Sequence, residues 1–317
     1  MTTNRTASPS ITWALKTLNA QHTKVDLIID PPWSTVHAIY TPKGLMYLKQ
    51  TPPLIGLEAT ITRYLKDTFD APVPHVIAHN HDLQCFLMED AGTPLRAYLK
   101  ESFEIDILCK ALDSFASLQM QTSDHVNELM KIGVPDWRLE KIPTLFENLL
   151  ADTPLLTQDG LSRSEIDALK ETPAFLDTQC EEIAAYAIPP TLVQCDFHDN
   201  NILLDKETQQ LTFIDLGEVV ISHPFFSLLG CLYQLVKHHG LHSNDESYQM
   251  IKRAYLKHIA SNCDIDDLLK RLMPIHLVYG ALAQYRLMLA CGKEKLLEYQ
   301  PKRLGNHMRL ILDYIKP

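Results

Sequence analysis

The chain has 317 residues, 46% of them hydrophobic, and sets 39 Asp and Glu against 29 Lys and Arg for a formal net charge of −10. That balance, with no basic stripe anywhere, excludes nucleic acid and anionic membrane as main partners, because phosphate backbones are bound by clustered Lys and Arg. The length suits two modest lobes, each with its own core, better than one simple sandwich.

In chain order, the N-terminal "MTTNRTASPS" is polar and lacks the apolar core of a signal peptide. Short β-rich runs follow, "KVDLIID", "VHAIYT", "LMYLKQ", "HVIAH" and "QCFLME", separated by turn chemistry such as Pro42, Lys43 and Gly44. One helix interrupts them: "PLIGLEATITRYLKDTF" is apolar at Leu54, Leu57, Ile61, Tyr64 and Leu65, with Pro53 in its first turn. The texture changes near residue 92. Beyond it "LCKALDSFASLQM", "LEKIPTLFENLL", "IDALKETPAFLDTQCEEIAAYA" and the segments 224–240, 245–261, 266–291 and 302–315 read as helices. "NNILLD" and "QLTFID" are the exception, two short strands joined by the polar turn "KETQQ". "HPFFSLLGCLYQLV" is too short to span a bilayer, and "IHLVYGALAQYRLMLACG" is interrupted by His276, Gln284 and Arg286, so both are core helices and no membrane partner is expected. Seven scattered cysteines without a CxxC pair fit a reducing cytosol. The reading is an α+β chain: a small antiparallel sheet with one main helix over residues 1–92, a connector near "EDAGTPL", and a larger helical lobe over 93–317 carrying a hairpin.

The segment "LVQCDFHDNNILLDKETQQLTFIDLGE", residues 192–218, concentrates the chemistry. Phosphoryl transfer asks little covalent help of a protein but much control of charge: a carboxylate to orient or deprotonate the attacking hydroxyl, and oxygen ligands to hold Mg²⁺ over the phosphates. Asp196 offers the first. Asn201, just before one strand, and Asp215, just after the other, offer the second if the hairpin folds them together. GxxxxGK[ST], HExxH, GxSxG and GxGxxG are all absent. His238, His239 and His242 have no Cys or carboxylate at ligand spacing and sit where a helix C-terminus attracts histidine.

"CDFHDNNILL" resembles the catalytic loop of the aminoglycoside phosphotransferase and choline kinase group, a branch of the protein-kinase-like fold whose loop is usually written HGDLHPGNIL. "FIDLGEVVISHPFFSL" resembles that group's metal-binding strand and the helix after it. The resemblance implies a kinase-like two-lobed fold and transfer of the γ-phosphoryl group of ATP, with Mg²⁺, to a hydroxyl of a small molecule. It implies Asp196 as the catalytic base, Asn201 and Asp215 as metal ligands, and His198 in a supporting place. Lys49, at the end of the third strand, would reach the phosphates with Glu58 holding it, and the backbone from Glu89 to Ala91 would meet the adenine. Gln194 stands where the loop's first His is usual, Asp199 where Pro is, and Asn200 where Gly is. The phosphate-covering turn "DPPWSTVHAIY" contains no glycine, so its Trp33-Ser34-Thr35 turn is expected to work through the hydroxyls of Ser34 and Thr35 or through fewer amides. The acceptor pocket is expected from "GVPDWRLEK", "EVVISHPFF" and "VYGALAQYRLM", with Asp136, Trp137 and Glu218 as an acidic wall beside an aromatic face suited to a hydroxylated amine, an aminoglycoside or choline-like compound. The opposing reading has Trp137 packing the lobe and Asp136 capping a helix that starts at Arg138. A catalytically silent nucleotide- or partner-binding protein, or a protein serine/threonine kinase, are the alternatives.

Overall fold

The computed structural model describes residues 8–259 and 264–315; Cys263 and the last two residues of the expected helix 245–261 lie outside them. The α+β, two-lobed class expected from the sequence is the observed one. A helix the sequence reading did not anticipate, α1 (Pro9–Thr17), comes first, followed by β1 (Val25–Ile29), β2 (Thr35–Thr41), β3 (Gly44–Gln50), α2 (Glu58–Phe69), β4 (Val76–Asn80) and β5 (Cys85–Glu89). The strands form one antiparallel sheet in the order β1-β2-β3-β5-β4. Successive residues of a strand point to opposite faces, which decides what β3 does. Met46 and Leu48 enter a small core with Ala14, Ile39, Cys85 and Leu87, closed on the outside by α1. Lys49 points the other way, toward the second lobe. A nine-residue helix is marginal by itself, and α1 draws its stability from this docking rather than from a complete apolar period. The expected helix over 53–69 also begins later, as a 3-10 turn over Pro53–Ile55 and then α2, because Pro52, Pro53 and Gly56 interrupt the helical hydrogen bonds.

The chain crosses to the second lobe at Gly92, whose φ is +111° and where an added Cβ would fall 2.4 Å from the Leu204 carbonyl oxygen. Only glycine fits there. Next come β6 (Thr93–Pro94) and the helices α3 (Leu95–Glu101), α4 (Ile105–Thr122), α5 (Val126–Lys131), α6 (Ile142–Ala151), α7 (Thr153–Gln158), α8 (Arg163–Lys170) and α9 (Pro173–Ala184). The helix expected over 166–187 is thus two helices. Proline has no N–H to continue α8, and its fixed φ suits the first turn of α9. Then β7 (Thr191–Gln194), β8 (Ile202–Leu204), β9 (Leu211–Phe213) and β10 (Val219–Ser222) form two small sheets, β6-β8-β9 and β10-β7. The rest is helical: α10 (Phe225–His239), α11 (Glu246–Leu256), α12 (Ile265–Cys291), α13 (Lys293–Tyr299) and α14 (Arg303–Ile315). Among the described residues no helix is long and apolar enough to cross a membrane.

The placement of β7 matters most, because the loop carrying Asp196 leaves its end. β10 covers one edge, and side chains satisfy the other, as buried backbone groups require. Gln119 Nε2 donates to the Leu192 carbonyl at 2.9 Å and the Leu192 N–H donates to Thr122 Oγ1 at 2.9 Å, both from α4. Ser227 Oγ of α10 accepts from the Gln194 N–H at 3.2 Å and donates to its carbonyl at 3.1 Å. The strand is therefore pinned to both principal helices of the lobe.

Candidate active site

Asp196 lies two residues beyond β7, and His198 braces it. The imidazole Nδ1 accepts from the Asn200 N–H at 3.2 Å, which leaves Nε2 to carry the proton toward Asp196 Oδ2, 3.2 Å away. Burial alone would push the Asp196 carboxyl up, but His198, with the more distant Arg303 and Arg96, outweighs it and holds the carboxyl below its ordinary value. Asp196 is thus an ionised acceptor at neutral pH. Asn201 Nδ2 donates to the Asp196 carbonyl at 2.8 Å, so the amide oxygen is the end left for a ligand. The Ile214 N–H donates to the Asn201 carbonyl at 3.0 Å, and this link brings the far strand of the hairpin, with Asp215, to the loop.

Lys49 closes the constellation from the sheet lobe. Its Nζ lies 2.7 Å from Glu58 Oε2 and 2.7 Å from Asp215 Oδ1. Burial opposes the ammonium, but the carboxylates of Asp215 and Glu58 outweigh it and raise Lys49, so it stays charged. Burial likewise pushes the Glu58 carboxyl up and Lys49 draws it back; with an ammonium at 2.7 Å the pair is ionised. Leaving one member of such a buried pair alone costs about 3–5 kcal/mol. Gly217 lets the lobes approach here, since a Cβ on it would meet the Ile55 carbonyl oxygen at 2.8 Å. Asp196, Asn201, Asp215, Lys49 and Glu58, drawn from four separate places in the chain, are brought together.

Two positions where the chain departs from the usual loop turn out to brace it. Gln194, 1% exposed, donates from Nε2 to the Ile214 carbonyl at 2.8 Å and the Asp215 carbonyl at 3.0 Å. Asp215 has φ +64°, a left-handed conformation that costs a non-glycine residue energy, and the Gln194 amide helps to hold it. Asp199 is fully buried: Arg96 Nε and Nη2 donate to its Oδ1 at 2.9 and 2.7 Å, and His239 Nε2 lies 2.7 Å from its Oδ2. Arg96 was not among the residues singled out in the sequence, and His239 had been assigned to the helix end. The signal for both was the unusual acid at 199, which a buried site must pair.

The remaining site residues divide. Glu89 and Ala91 flank Asp90, whose N–H donates to the Leu45 carbonyl at 3.2 Å, so the connector runs beside β3. Ser34 is buried and its N–H is spent on the Pro31 carbonyl at 3.2 Å; the Thr35 hydroxyl donates to Asp30 Oδ1 at 2.8 Å. The turn is held by its own hydrogen bonds, and the Thr35 hydroxyl already has a partner. A groove of about 450 Å³ beside it is lined by Ser34, Thr35, Gln50, Thr51 and Gln84 among others; Lys49, Glu58, Asp196 and Asp215 do not line it, so it lies outside the charged centre. The acidic wall proposed from Asp136 and Trp137 is corrected. Trp137 is 6% exposed and packs edge-on to Tyr279, and both Asp136 carboxylate oxygens are held by Arg138 at 2.8 and 2.7 Å, its Oδ1 also accepting the Arg138 N–H. An aromatic that large and an acid beside its own arginine are more stable in those roles than facing a pocket.

Glu218 stays at the centre. Burial, with the charges of Asp215 and Asp196, pushes its carboxyl up to about 8 against the pull of Arg286 and Lys49. A carboxyl raised on folding stays protonated in the native state while the unfolded chain ionises, so its contribution to stability falls as pH rises from its ordinary 4.5 to about 8. Glu218→Gln, which mimics the neutral form, is expected to gain stability over the parent at pH 8 and to match it at pH 4.5. Thermal melts of both proteins across that range, without nucleotide, check it; a difference independent of pH would place the Glu218 carboxyl in the ionised form.

Asp215, with one oxygen not taken by Lys49, and Asn201, with its amide oxygen, form a hard oxygen donor pair of the kind Mg²⁺ shares with substrate phosphates. No cluster of three or more His, Cys, Asp or Glu able to hold a metal alone occurs among the described residues. Such a site depends on the substrate to complete it.

The fold recurs in solved structures. An ethanolamine kinase of Plasmodium vivax superposes with a TM-score of 0.59 at 13% identity, covering 95% of this chain and 85% of that one. A choline kinase of Streptococcus pneumoniae gives 0.60 at 10% identity, with 96% and 98% covered. An aminoglycoside phosphotransferase of Streptomyces rimosus, in complex with ADP and streptomycin, gives 0.52 at 17% identity, with 88% and 99% covered. No curated protein matches the chain. At these identities the structures establish the fold alone. The family model for the phosphotransferase enzyme family matches residues 34–261, a stretch that contains Lys49, Glu58, Asp196, Asn201 and Asp215, and the chain belongs to that family.

Proposed function

We propose that the chain transfers the γ-phosphoryl group of ATP to a hydroxyl of a small molecule. The observation that carries this is Lys49, held within 2.7 Å of both Glu58 and Asp215 and opposite a loop that carries Asp196 and Asn201. Asp196 takes the hydrogen bond, and then the proton, of the acceptor hydroxyl as its oxygen bonds to the γ-phosphorus and the bond to the β–γ bridging oxygen breaks, releasing ADP. Lys49 pairs the α- and β-phosphates, Glu58 keeps it aimed, and the backbone at Glu89–Ala91 receives the adenine. Mg²⁺, when bound by Asp215 and Asn201, supplies neutralisation of the phosphate charge.

The acceptor we favour is a hydroxylated amine. Burial first, and then the charges of Asp215 and Asp196, push the Glu218 carboxyl up; an ammonium group placed beside these three acids would offset that repulsion. The fold neighbours named for ethanolamine, choline and streptomycin agree with this class. The scattered cysteines, six of them free thiols among the described residues, suit a cytosolic enzyme.

The test is a thermal-shift titration with ATP and Mg²⁺, then ADP release over a panel of hydroxylated amines, neutral sugars and hydroxy amino acids. ADP release with amines is expected. Turnover of neutral sugars alone would reject the acceptor class, and MgATP binding with no turnover on any acceptor would make the chain a silent relative.

A further inference from the structure

The glycine-free turn between β1 and β2 reaches across to the second lobe. Trp33 meets Tyr299, the last residue of α13, edge to face, with ring centroids 5.4 Å apart and planes at 87°. Both sides of the contact are built to stay put. Pro31 and Pro32 fix two φ angles, the Ser34 N–H closes on Pro31, and the Thr35 hydroxyl closes on Asp30. Behind Tyr299, the N–H groups of Lys302 and Gly305 donate to the carboxylate of Asp159 at 2.7 and 2.6 Å, and Asp159 is 1% exposed. Tyr299 itself is 55% exposed, while Trp33 is half-buried and packs against the edge of the main core, so the contact lies at the rim of that core.

Register says which end of the cleft the pair spans. Thr35 lies opposite Gln50 and Glu89 lies opposite Met46. The turn therefore stands at the Lys49 end of β3, roughly 13 Å along the strand from the connector that would receive adenine. Arg303, four residues past Tyr299, is near enough to Asp196 to favour its ionised form. The rings therefore bridge the lobes at the Lys49 end of β3, away from the connector. A glycine-rich loop can fold its own backbone down over phosphates; a Pro-Pro-Trp turn cannot, and closure must come from a side chain that finds a partner on the opposite lobe.

We propose that Trp33 and Tyr299 form an aromatic gate at the acceptor end of the cleft: the acceptor enters where the rings part, and the closed rings keep bulk water from the phosphoryl group. This rests on the phosphotransfer reading above. An edge-to-face pair at the rim favours the closed state by only about three- to tenfold, which lets it open in every turnover. When the gate is lost, water replaces the acceptor hydroxyl at the γ-phosphorus, and ATP gives ADP and inorganic phosphate.

The test compares the parent protein with Tyr299→Ala and Tyr299→Phe, neither of which removes a buried group. In the free proteins, hydrogen exchange at the amides of residues 33–36 is expected to quicken about three- to tenfold in Tyr299→Ala, while α10 is unchanged and Tyr299→Phe behaves as the parent. With MgATP and no acceptor, phosphate release is expected to rise by a similar factor in Tyr299→Ala at unchanged MgATP affinity. Parent-like exchange in Tyr299→Ala would overturn the gate, as would faster exchange with unchanged phosphate release, which would make the contact purely structural. A parent protein that neither binds MgATP nor turns over any acceptor is a failure of the phosphotransfer reading, visible before any variant is made.

Discussion

Asp196→Asn is expected to lower kcat by about 10²- to 10⁴-fold, the usual worth of a positioned general base, while MgATP affinity stays where it was. The two effects separate because the residue has two ends. Its carboxylate, kept ionised by His198, acts on the acceptor. Its carbonyl accepts the Asn201 amide at 2.8 Å and so holds in place the residue proposed as a metal ligand. Asparagine changes only the first: it keeps the backbone bond and an oxygen that His198 Nε2 can still reach, and it loses the basicity. Steady-state kinetics with the best acceptor of the panel, set beside a calorimetric MgATP titration, makes the comparison. A fall in MgATP affinity parallel to the fall in kcat would put Asp196 in the nucleotide site instead.

Asp215→Ala is expected to do the reverse, weakening MgATP by about 10- to 100-fold, the scale on which altered metal ligation acts. Two losses compound. The metal loses a carboxylate oxygen, and Lys49 loses the partner at 2.7 Å that draws it toward the loop, keeping only Glu58. The titration is run with and without Mg²⁺: the variant should lose the advantage the metal gives the parent, and the smaller weakening of metal-free ATP reports the loosened Lys49. Equal MgATP affinity in parent and variant would remove Asp215 from the metal site. Because the charge of Asp215 is one of the causes that raise Glu218, the variant should also titrate Glu218 at lower pH, a consequence visible without any nucleotide.

What the sequence carried about the site was its acids and their order. Asp196, Asn201 and Asp215 are polar residues at the borders of short apolar runs, and a hairpin joined by a tight polar turn leaves such residues few places to go but together. Lys49 and Glu58 were legible through the family resemblance, which calls for a lysine on the third strand and a glutamate inside the helix after it. The five strands of the sheet and most of the long helices were equally plain, since alternation and helical period are local properties.

Whatever depended on contacts between distant segments was not legible. Asp136 and Trp137 read as a binding wall because acid beside aromatic is a local pattern, but Arg138 and Tyr279 had the stronger hold on them. Gln194 looked like a weakened loop and proved a brace, since the carbonyls it reaches are about 20 residues away and were invisible as partners. Asp199 drew its meaning from Arg96 and His239, more than 100 and 40 residues off respectively. The N-terminal helix escaped because nine residues hold too little of a period to be distinguished from coil. By itself the sequence determined the two-lobed α+β class, because alternation and helical period are local, and its resemblance to a known family picked out the ordered set Lys49, Glu58, Asp196, Asn201 and Asp215. Only the tertiary structure decided which polar groups are consumed in holding the set together and where Trp33 meets Tyr299, because a buried charge or an exposed ring acquires its role from what folding places within a few ångströms of it.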